Sequence, residues 1–336
     1  MSNTTTSRQF WIQSIGHGEI VHAELPMRRT NEVLVRTLYS GISRGTESLV
    51  FSGQVPPSQF QSMRAPFQEG EFPAPIKYGY INVGVVEAGP ESLVGEVVFC
   101  LYPHQDLYCV PESAVTSVPK DVPAERAVLA AYMQTAINAV WDGHPSVGDQ
   151  VVVVGAGAVG LLVAWLCRQI PGVEVTVVDT NDSRQSIARN LELRFVTDLP
   201  SGTQADVVVH ASGQPAGLVT ALSVAGVEST IVDVSWYGAN TVDLPLGEAF
   251  HSKRLTIRSS QVSLIPPLQN PRWDFDRRSL LALTLLRDPA LECLITGESQ
   301  FEDLPNVLAA LSMSSSDTLC HRITYPSPLG AKPCIA

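Results

Sequence analysis

Apolar residues along this chain follow two rhythms. From residue 8 to residue 120 they come in short runs or alternate with polar residues, the period-two pattern of β-strands. The strands predicted there are Glu19–Glu24, Glu32–Tyr39, Ile81–Ala88, Val97–Tyr102 and Tyr108–Val110, with Gly89, Pro90, Pro103 and Pro111 as breakers. Between the second and third lies Ser52–Pro75, an irregular stretch with five prolines, and a loop of that length is expected to cover a functional site. Asp121–Trp141 is predicted helical, because Pro123 suits an early helical position and Ala127, Ala130, Ala131 and Ala136 are strong helix formers. From Val151 strands and helices alternate. Strands are predicted at Val151–Gly155, Val173–Asp179, Asp206–Ala211, Ser229–Val234 and Leu255–Val262, and helices at Leu161–Gln169, Ser183–Asn190 and Pro215–Leu222. Such alternation demands a parallel sheet with helices on both faces. After Pro266 and Pro267 come helices Asp274–Leu286 and Glu302–Leu311 and a strand His321–Tyr325. These are too few for a third domain. They are expected to return to the β-rich part, giving one domain from 1–130 with 268–336 and a second from 131–267.

The second rhythm begins on the most informative stretch. Val151–Val154 is a buried strand that runs straight into Gly155–Gly160, the G-x-G-x-x-G pattern of a dinucleotide-binding turn. Gly155 suits the tight turn, Gly157 lets backbone approach a pyrophosphate, and Gly160 lets the next helix pack on the strand. That helix start, with Ala158 and Val159, offers free N–H groups and a partial positive charge to phosphates. Asp179 ends the next strand, 19 residues after Gly160, where an acid hydrogen-bonds an adenosine ribose. A membrane span over Val151–Cys167 fails, because 17 residues with three early glycines and no basic flanks fall short of the roughly 20 required. Asp179, followed by Thr180, favours NAD, since its carboxylate repels a 2′-phosphate; Arg184 is the residue that would favour NADP. Ala211 with Ser212, and Trp236 with Tyr237, follow later strands, at the sheet ends where ligands of such folds bind.

A length of 336 residues accommodates two domains, and a net charge of −11 argues against nucleic acid and anionic membrane surfaces as partners. Six cysteines (Cys100, Cys109, Cys167, Cys293, Cys320, Cys334) form no Cys-x-x-Cys pair and suit reduced, mostly buried thiols. The polar N-terminal stretch has no apolar core of a signal peptide, and a cytoplasmic protein is expected. His251–Arg254 reads as a solvated basic turn, and Leu255–Val262 as a long apolar edge strand through which a homodimer would form.

The order of β-rich domain, nucleotide unit and short return resembles the medium-chain dehydrogenase/reductase superfamily. The residues that carry the resemblance are Gly41–Glu47 (GISRGTE), Gly79–Gly84 (GYINVG), Val85–Gly89 (VVEAG), Gly95–Val98 (GEVV), Thr135 with Ala136, and GAGAVG. Within the superfamily, SGISRGTESLVFSG is similar to the bacteriochlorophyllide a dehydrogenase branch, which oxidises a secondary hydroxyl to a ketone with NAD. The resemblance implies an α/β protein, a GroES-like mainly-β catalytic domain joined to a Rossmann domain. The zinc ligands of the superfamily fall on Ser43 (or Arg44), on Tyr80 and near Gln134. Serine or arginine, tyrosine and glutamine are not the thiolate, imidazole or carboxylate donors that a catalytic zinc takes. The lobe of four cysteines is reduced to Cys100, His104 and Cys109. No zinc is expected.

Without a metal, a side chain must handle the hydroxyl proton. Tyr80 at a ligand position and His104 in a polar turn are the candidate acid–base groups; packing roles are the plain alternative for both. Glu47 is expected to pair with Arg44 or another cation, and Ser43 and Thr46 to hold the substrate oxygen or cap a turn. The expected activity is NAD(H)-dependent interconversion of a secondary alcohol and a ketone on a fairly bulky small molecule. An NADPH-dependent enoyl or quinone reductase, or a non-catalytic NAD-binding sensor or scaffold, are the alternatives.

Overall fold

The computed structural model describes residues 5–313 and 317–326. Contacts divide the chain into two compact units. One takes the chain up to Ala131, Leu283–Arg287 and the chain from Ile295; the other takes Tyr132–Ala282 and Asp288–Leu294. The stretches 268–282 and 288–294, read from the sequence as part of the return, fall in the second unit.

The first unit opens with a hairpin of β1 (Thr6–Ser14) and β2 (His17–Glu24), then β3 (Glu32–Ile42) and the helix α1 (Arg44–Phe51). Short β4 (Glu69–Gly70) and β5 (Ile76–Lys77), then β6 (Asn82–Ala88), β7 (Val97–Cys100), β8 (Leu107–Pro111) and β9 (Val115–Ser117), follow. The sequence pattern hid β1, because two of its buried positions are the polar Ser7 and Gln9, which bond to Gln105 and Trp11 respectively. The helix predicted from Asp121 starts later. Residues 127–129 form one 3₁₀ turn and α2 spans Ala130–Gly143, because Pro123 closes a turn through its carbonyl, which accepts from the amides of Arg126 and Ala127.

In the second unit β10 (Gln150–Val154), α3 (Ala158–Arg168), β11 (Glu174–Val178), α4 (Gln185–Asn190), β13 (Ala205–His210), α5 (Pro215–Val224) and β14 (Ala225–Asp233) follow the predicted order, with a short strand not predicted from sequence, β12 (Arg194–Val196), between α4 and β13. The short α6 (Ala249–Ser252) and β15 (Thr256–Ser259) complete the parallel six-stranded sheet, ordered β12-β11-β10-β13-β14-β15. Its core is aliphatic: Val152, Val154 and Val208 meet Leu218, Leu222 and Ile231, each worth about 1.5–3 kcal/mol when fully buried. β15 has four residues rather than the eight predicted, and they are mostly exposed rather than apolar. Its ladder stops at Ser259 because the pairing partner, β14, ends at Asp233. The basic turn His251–Arg254 is used structurally: Lys253 Nζ donates to the Ala225 carbonyl at 2.8 Å and Arg254 pairs with Glu228.

Then α7 (Phe275–Leu285), β16 (Ile295–Gln300), α8 (Leu304–Met313) and β17 (Cys320–Thr324) follow. β17 pairs antiparallel with β3, His321 to Ile42 through Thr324 to Tyr39, and joins the seven-stranded sheet of the first unit, ordered β16-β17-β3-β6-β7-β9 with β8 on β3. Val33, Val35, Val86, Val98, Tyr102 and Tyr108 form its core. The five cysteines among the described residues are free thiols, three of them buried; Cys334 lies outside those residues. Among the described residues no helix is long and apolar enough to cross a membrane.

Candidate nucleotide and alcohol sites

In the second unit the turn after β10 is built as the sequence reading expects. A Cβ on Gly155, whose φ is +110°, would lie 2.6 Å from the Ser212 amide nitrogen, and one on Gly160 would lie 2.0 Å from the Gly155 carbonyl oxygen. Glycine at both positions lets the 211–212 backbone and α3 close on the turn. Gly157 is different: a Cβ there would meet nothing within 4 Å. It caps α3, which starts at Ala158 rather than Leu161, so Ala158 and Val159 sit in the first turn, where helix amides lack internal partners. Open space against such a turn fits the pyrophosphate of a dinucleotide. Asp179 Oδ2 accepts the Ala156 amide at 2.7 Å and its Oδ1 the Asn181 amide at 2.9 Å, so this carboxylate also braces the turn. Thr180 is exposed beside it, while Arg184 is only 6 % exposed and has partners of its own. A pocket of about 360 Å³ lined by Asp182, Gln185 and Phe195–Asp198 lies beyond, at the ends of β11 and β12.

At the ends of β13 and β14 a cluster appears that sequence reading missed. His210, fully buried, places Nδ1 2.9 Å from Asp233 Oδ1 and Nε2 2.7 Å from Ser212 Oγ. Tyr237 Oη donates to Asp233 Oδ2 at 3.0 Å, and the Ser235 amide donates to Asp233 Oδ1 at 3.0 Å. Burial raises the Asp233 carboxyl, but hydrogen bonds and charge from His210, with those from Ser235 and Tyr237, outweigh it and hold it below the usual carboxylate range. Ala211 and Ser212 thus lie against the glycine turn; Trp236 is half-buried in the loop after β14.

In the first unit, Ser43, Thr46, Glu47, Tyr80 and His104 come together. Ser43 is the N-cap of α1 without a side-chain cap bond; its amide donates to Glu47 Oε1 at 2.7 Å. Its hydroxyl accepts instead from Tyr80 Oη at 2.6 Å, and Thr46 also bonds that phenol. Burial pushes the Tyr80 phenol up to about 12, against the opposing pull of the Ser43 and Thr46 bonds. Lys77, the cation nearest in sequence, is buried elsewhere against Glu69 and Gln105. Glu47, expected to pair with Arg44 or another cation, meets His104: its Oε2 takes His104 Nε2 at 2.9 Å, both side chains 1–2 % exposed. A carboxylate only accepts, so Nε2 carries a hydrogen; in the neutral ring Nδ1 then accepts from Ser40 Oγ at 2.7 Å, which leaves Ser40 to accept from Tyr325 Oη at 3.0 Å. Both ring nitrogens of His104 are thereby engaged in a buried chain. Ser40 and Tyr325 were not named as site residues: Ser40 only opens the SGISRGTE run, and Tyr325 reads as the last position of the terminal strand. An aromatic ladder, Phe60–Phe72–Tyr78–Tyr80 with centroids 5.6, 5.8 and 6.2 Å apart, ties the Ser52–Pro75 segment to Tyr80.

The zinc of related folds does not fit these residues. Ser43 and Tyr80 offer a hydroxyl and a phenol, not the thiolate, imidazole or carboxylate donors that a catalytic zinc takes. Cys100, with its thiol pushed up to about 12 by burial, and Cys109 do not gather around His104.

Residues 153–184 match the family model of the NAD(P)-binding Rossmann-like domain. The chain is 26 % identical over 292 residues to D-guloside 3-dehydrogenase of Escherichia coli K12, covering 78 % of this chain and 83 % of that protein. It is 25 % identical over 222 residues to a zinc-type alcohol dehydrogenase-like protein of Haemophilus influenzae, covering 62 % and 60 % of the two chains. Two solved structures share its fold. A protein of Sinorhizobium meliloti 1021 bound to NADP has a TM-score of 0.76, 14 % identity and coverage of 95 % and 99 %. The rspB alcohol dehydrogenase of E. coli CFT073 with NADH has a TM-score of 0.74, 18 % identity and the same coverage. The chain is an NAD(P)-dependent oxidoreductase of the alcohol dehydrogenase type. Its mixed α/β architecture, a parallel six-stranded sheet in one unit and a mainly-β sheet in the other, is the fold of these solved dehydrogenase structures.

Proposed function

We propose that the protein interconverts a secondary alcohol and a ketone on a fairly bulky substrate, using NAD(H) and no zinc. The observation that carries this reading is the Tyr80–Ser43 pair, two hydroxyls 2.6 Å apart where the superfamily sets metal ligands. A bound nicotinamide dinucleotide supplies or accepts the hydride. Because Ser43 Oγ accepts from Tyr80, its own hydrogen is available to a carbonyl oxygen. During reduction Ser43 passes that hydrogen to the oxygen and takes the Tyr80 proton in its place. The raised phenol keeps its proton at neutral pH, which suits the ketone-reducing direction. Glu47 and His104 act one step back: the Glu47 carboxylate fixes the Ser43 backbone, and the His104 chain fixes Glu47. The aromatic ladder ending at Tyr80 supports an apolar substrate larger than ethanol. Asp179 and the buried Arg184 support NAD over NADP, since neither offers a free cation to a 2′-phosphate. A homodimer in the cytoplasm, paired along the β15 edge, completes the reading.

The test is turnover by purified, chelator-treated protein on a panel of bulky ketones with NADH and with NADPH, beside metal analysis. Turnover with NADH at less than about one-tenth equivalent of zinc is expected. Turnover that appears only when zinc is restored, or only on conjugated enones with NADPH, overturns the reading.

A further inference from the structure

The cluster at the ends of β13 and β14 has no part in the proton chemistry above. Its order, Ser212 Oγ to His210 Nε2 at 2.7 Å and His210 Nδ1 to Asp233 Oδ1 at 2.9 Å, is that of a nucleophilic triad. Acyl chemistry does not follow from it. The amides that would hold an oxyanion are already engaged, Gly213 N on Ser235 Oγ at 3.1 Å and Gln214 N on Ser212 Oγ at 3.2 Å, and the imidazole is fully buried.

We propose instead that His210 and Asp233 are positioning residues for nicotinamide dinucleotide binding, acting through the Ser212 hydroxyl. This rests on reading Gly155–Gly160 as the pyrophosphate turn. Asp233 only accepts, so in the neutral form of the imidazole it fixes the ring hydrogen of His210 on Nδ1. Nε2 is then an acceptor, and the Ser212 hydrogen favours it at 2.7 Å over the Gln214 carbonyl at 3.5 Å. With Gln214 N donating to Ser212 Oγ as well, that oxygen keeps one lone pair for a ligand donor, a ribose hydroxyl or a carboxamide N–H. Ser212 is placed to use it, since its amide nitrogen is the atom a Gly155 Cβ would strike. The groups that face His210 are few. β14 and its following loop present Asp233, Ser235 and Tyr237, α5 presents Gly217, and β10 pairs Val154 beside it. Asp233 and Tyr237 are the titratable ones, and Tyr237 also donates to Asp233, so both keep the carboxylate on Nδ1.

The arrangement has a reversible element. An amide in place of Asp233 can donate to Nδ1, moving the ring hydrogen to Nε2; Ser212 then becomes the acceptor, and its lone pair is no longer available to the ligand. The experiment is a double-mutant cycle in which NADH affinity is read by fluorescence on wild type, Ser212→Ala, Asp233→Asn and the double variant. Ring ¹⁵N shifts of His210 report the tautomer. Each single change is expected to weaken NADH about three- to tenfold, the range of one hydrogen bond, with Nδ1–H in wild type and Nε2–H in Asp233→Asn. The double variant should bind no more weakly than Ser212→Ala alone. Unchanged affinity in Ser212→Ala, or a further full loss from Asp233→Asn on top of it, overturns the proposal. Gly157→Asp separates the two levels. If that change leaves NADH affinity intact, the reading of the glycine turn is what fails.

Discussion

Each unit holds one buried histidine clasped between a carboxylate and a serine, yet the two are wired in opposite senses. In the first unit the carboxylate, Glu47, faces Nε2 of His104 and Ser40 faces Nδ1. In the second, Asp233 faces Nδ1 of His210 and Ser212 faces Nε2. The tautomers are therefore opposite, and so is the direction in which order is handed on. His104 is closed off by Tyr325 behind Ser40, and its product is a fixed Glu47 under the Ser43 amide. His210 ends on a serine at a strand end beside the phosphate turn, so its product is an oriented hydroxyl. A buried histidine is thus defined less by its burial than by which nitrogen the carboxylate claims.

The comparison can be broken from its most consequential side first. Tyr80→Phe removes the proton that Ser43 relays, and kcat for ketone reduction should fall roughly 10²- to 10⁴-fold with little change in KM for NADH. A smaller loss in steady-state kinetics would return Tyr80 to the packing role. Gly157→Asp puts a charge into the open space of the turn without a steric clash. NADH titration should show at least about a tenfold loss of affinity while thermal melting stays near that of wild type. Glu47→Ala leaves the buried His104 Nε2 without its acceptor, and chemical denaturation should show a loss of about 1–3 kcal/mol; an unchanged midpoint would mean that His104 is not held by this pair. The mildest probe is pH. With the phenol at about 12, alcohol oxidation should climb steadily from about pH 7 to about pH 10, while ketone reduction stays level, because the proton leaves Tyr80 only above that range. A plateau in oxidation near neutrality would assign the base to another group.

How much of this was legible beforehand follows from where each signal is stored. The parallel sheet, GAGAVG and Asp179 are local patterns, and each stands where the pattern puts it. Ser43, Thr46, Glu47, Tyr80 and His104 were named by position in a resemblance, but their partners were not. Glu47 meets His104, 57 residues away, and no local rule favours that over Arg44 three residues before it. His210 and Asp233 stayed hidden because each reads as a position inside a predicted strand, and their pairing across neighbouring strands, 23 residues apart, leaves no local pattern. Length errors had the same origin: β15 was read long from its own residues, while its extent is set by where β14 ends.

The pairing of β17 with β3 has a consequence for how the protein is made. Tyr325 closes on Ser40 across 285 positions of chain, and β17 supplies the strand beside β3 in the sheet that carries the His104 network. On the ribosome the residues from 132 to 282 can therefore collapse into their own sheet while the earlier-made strands still wait for their last member. The alcohol-handling side chains, although encoded first, are the last to be locked in place.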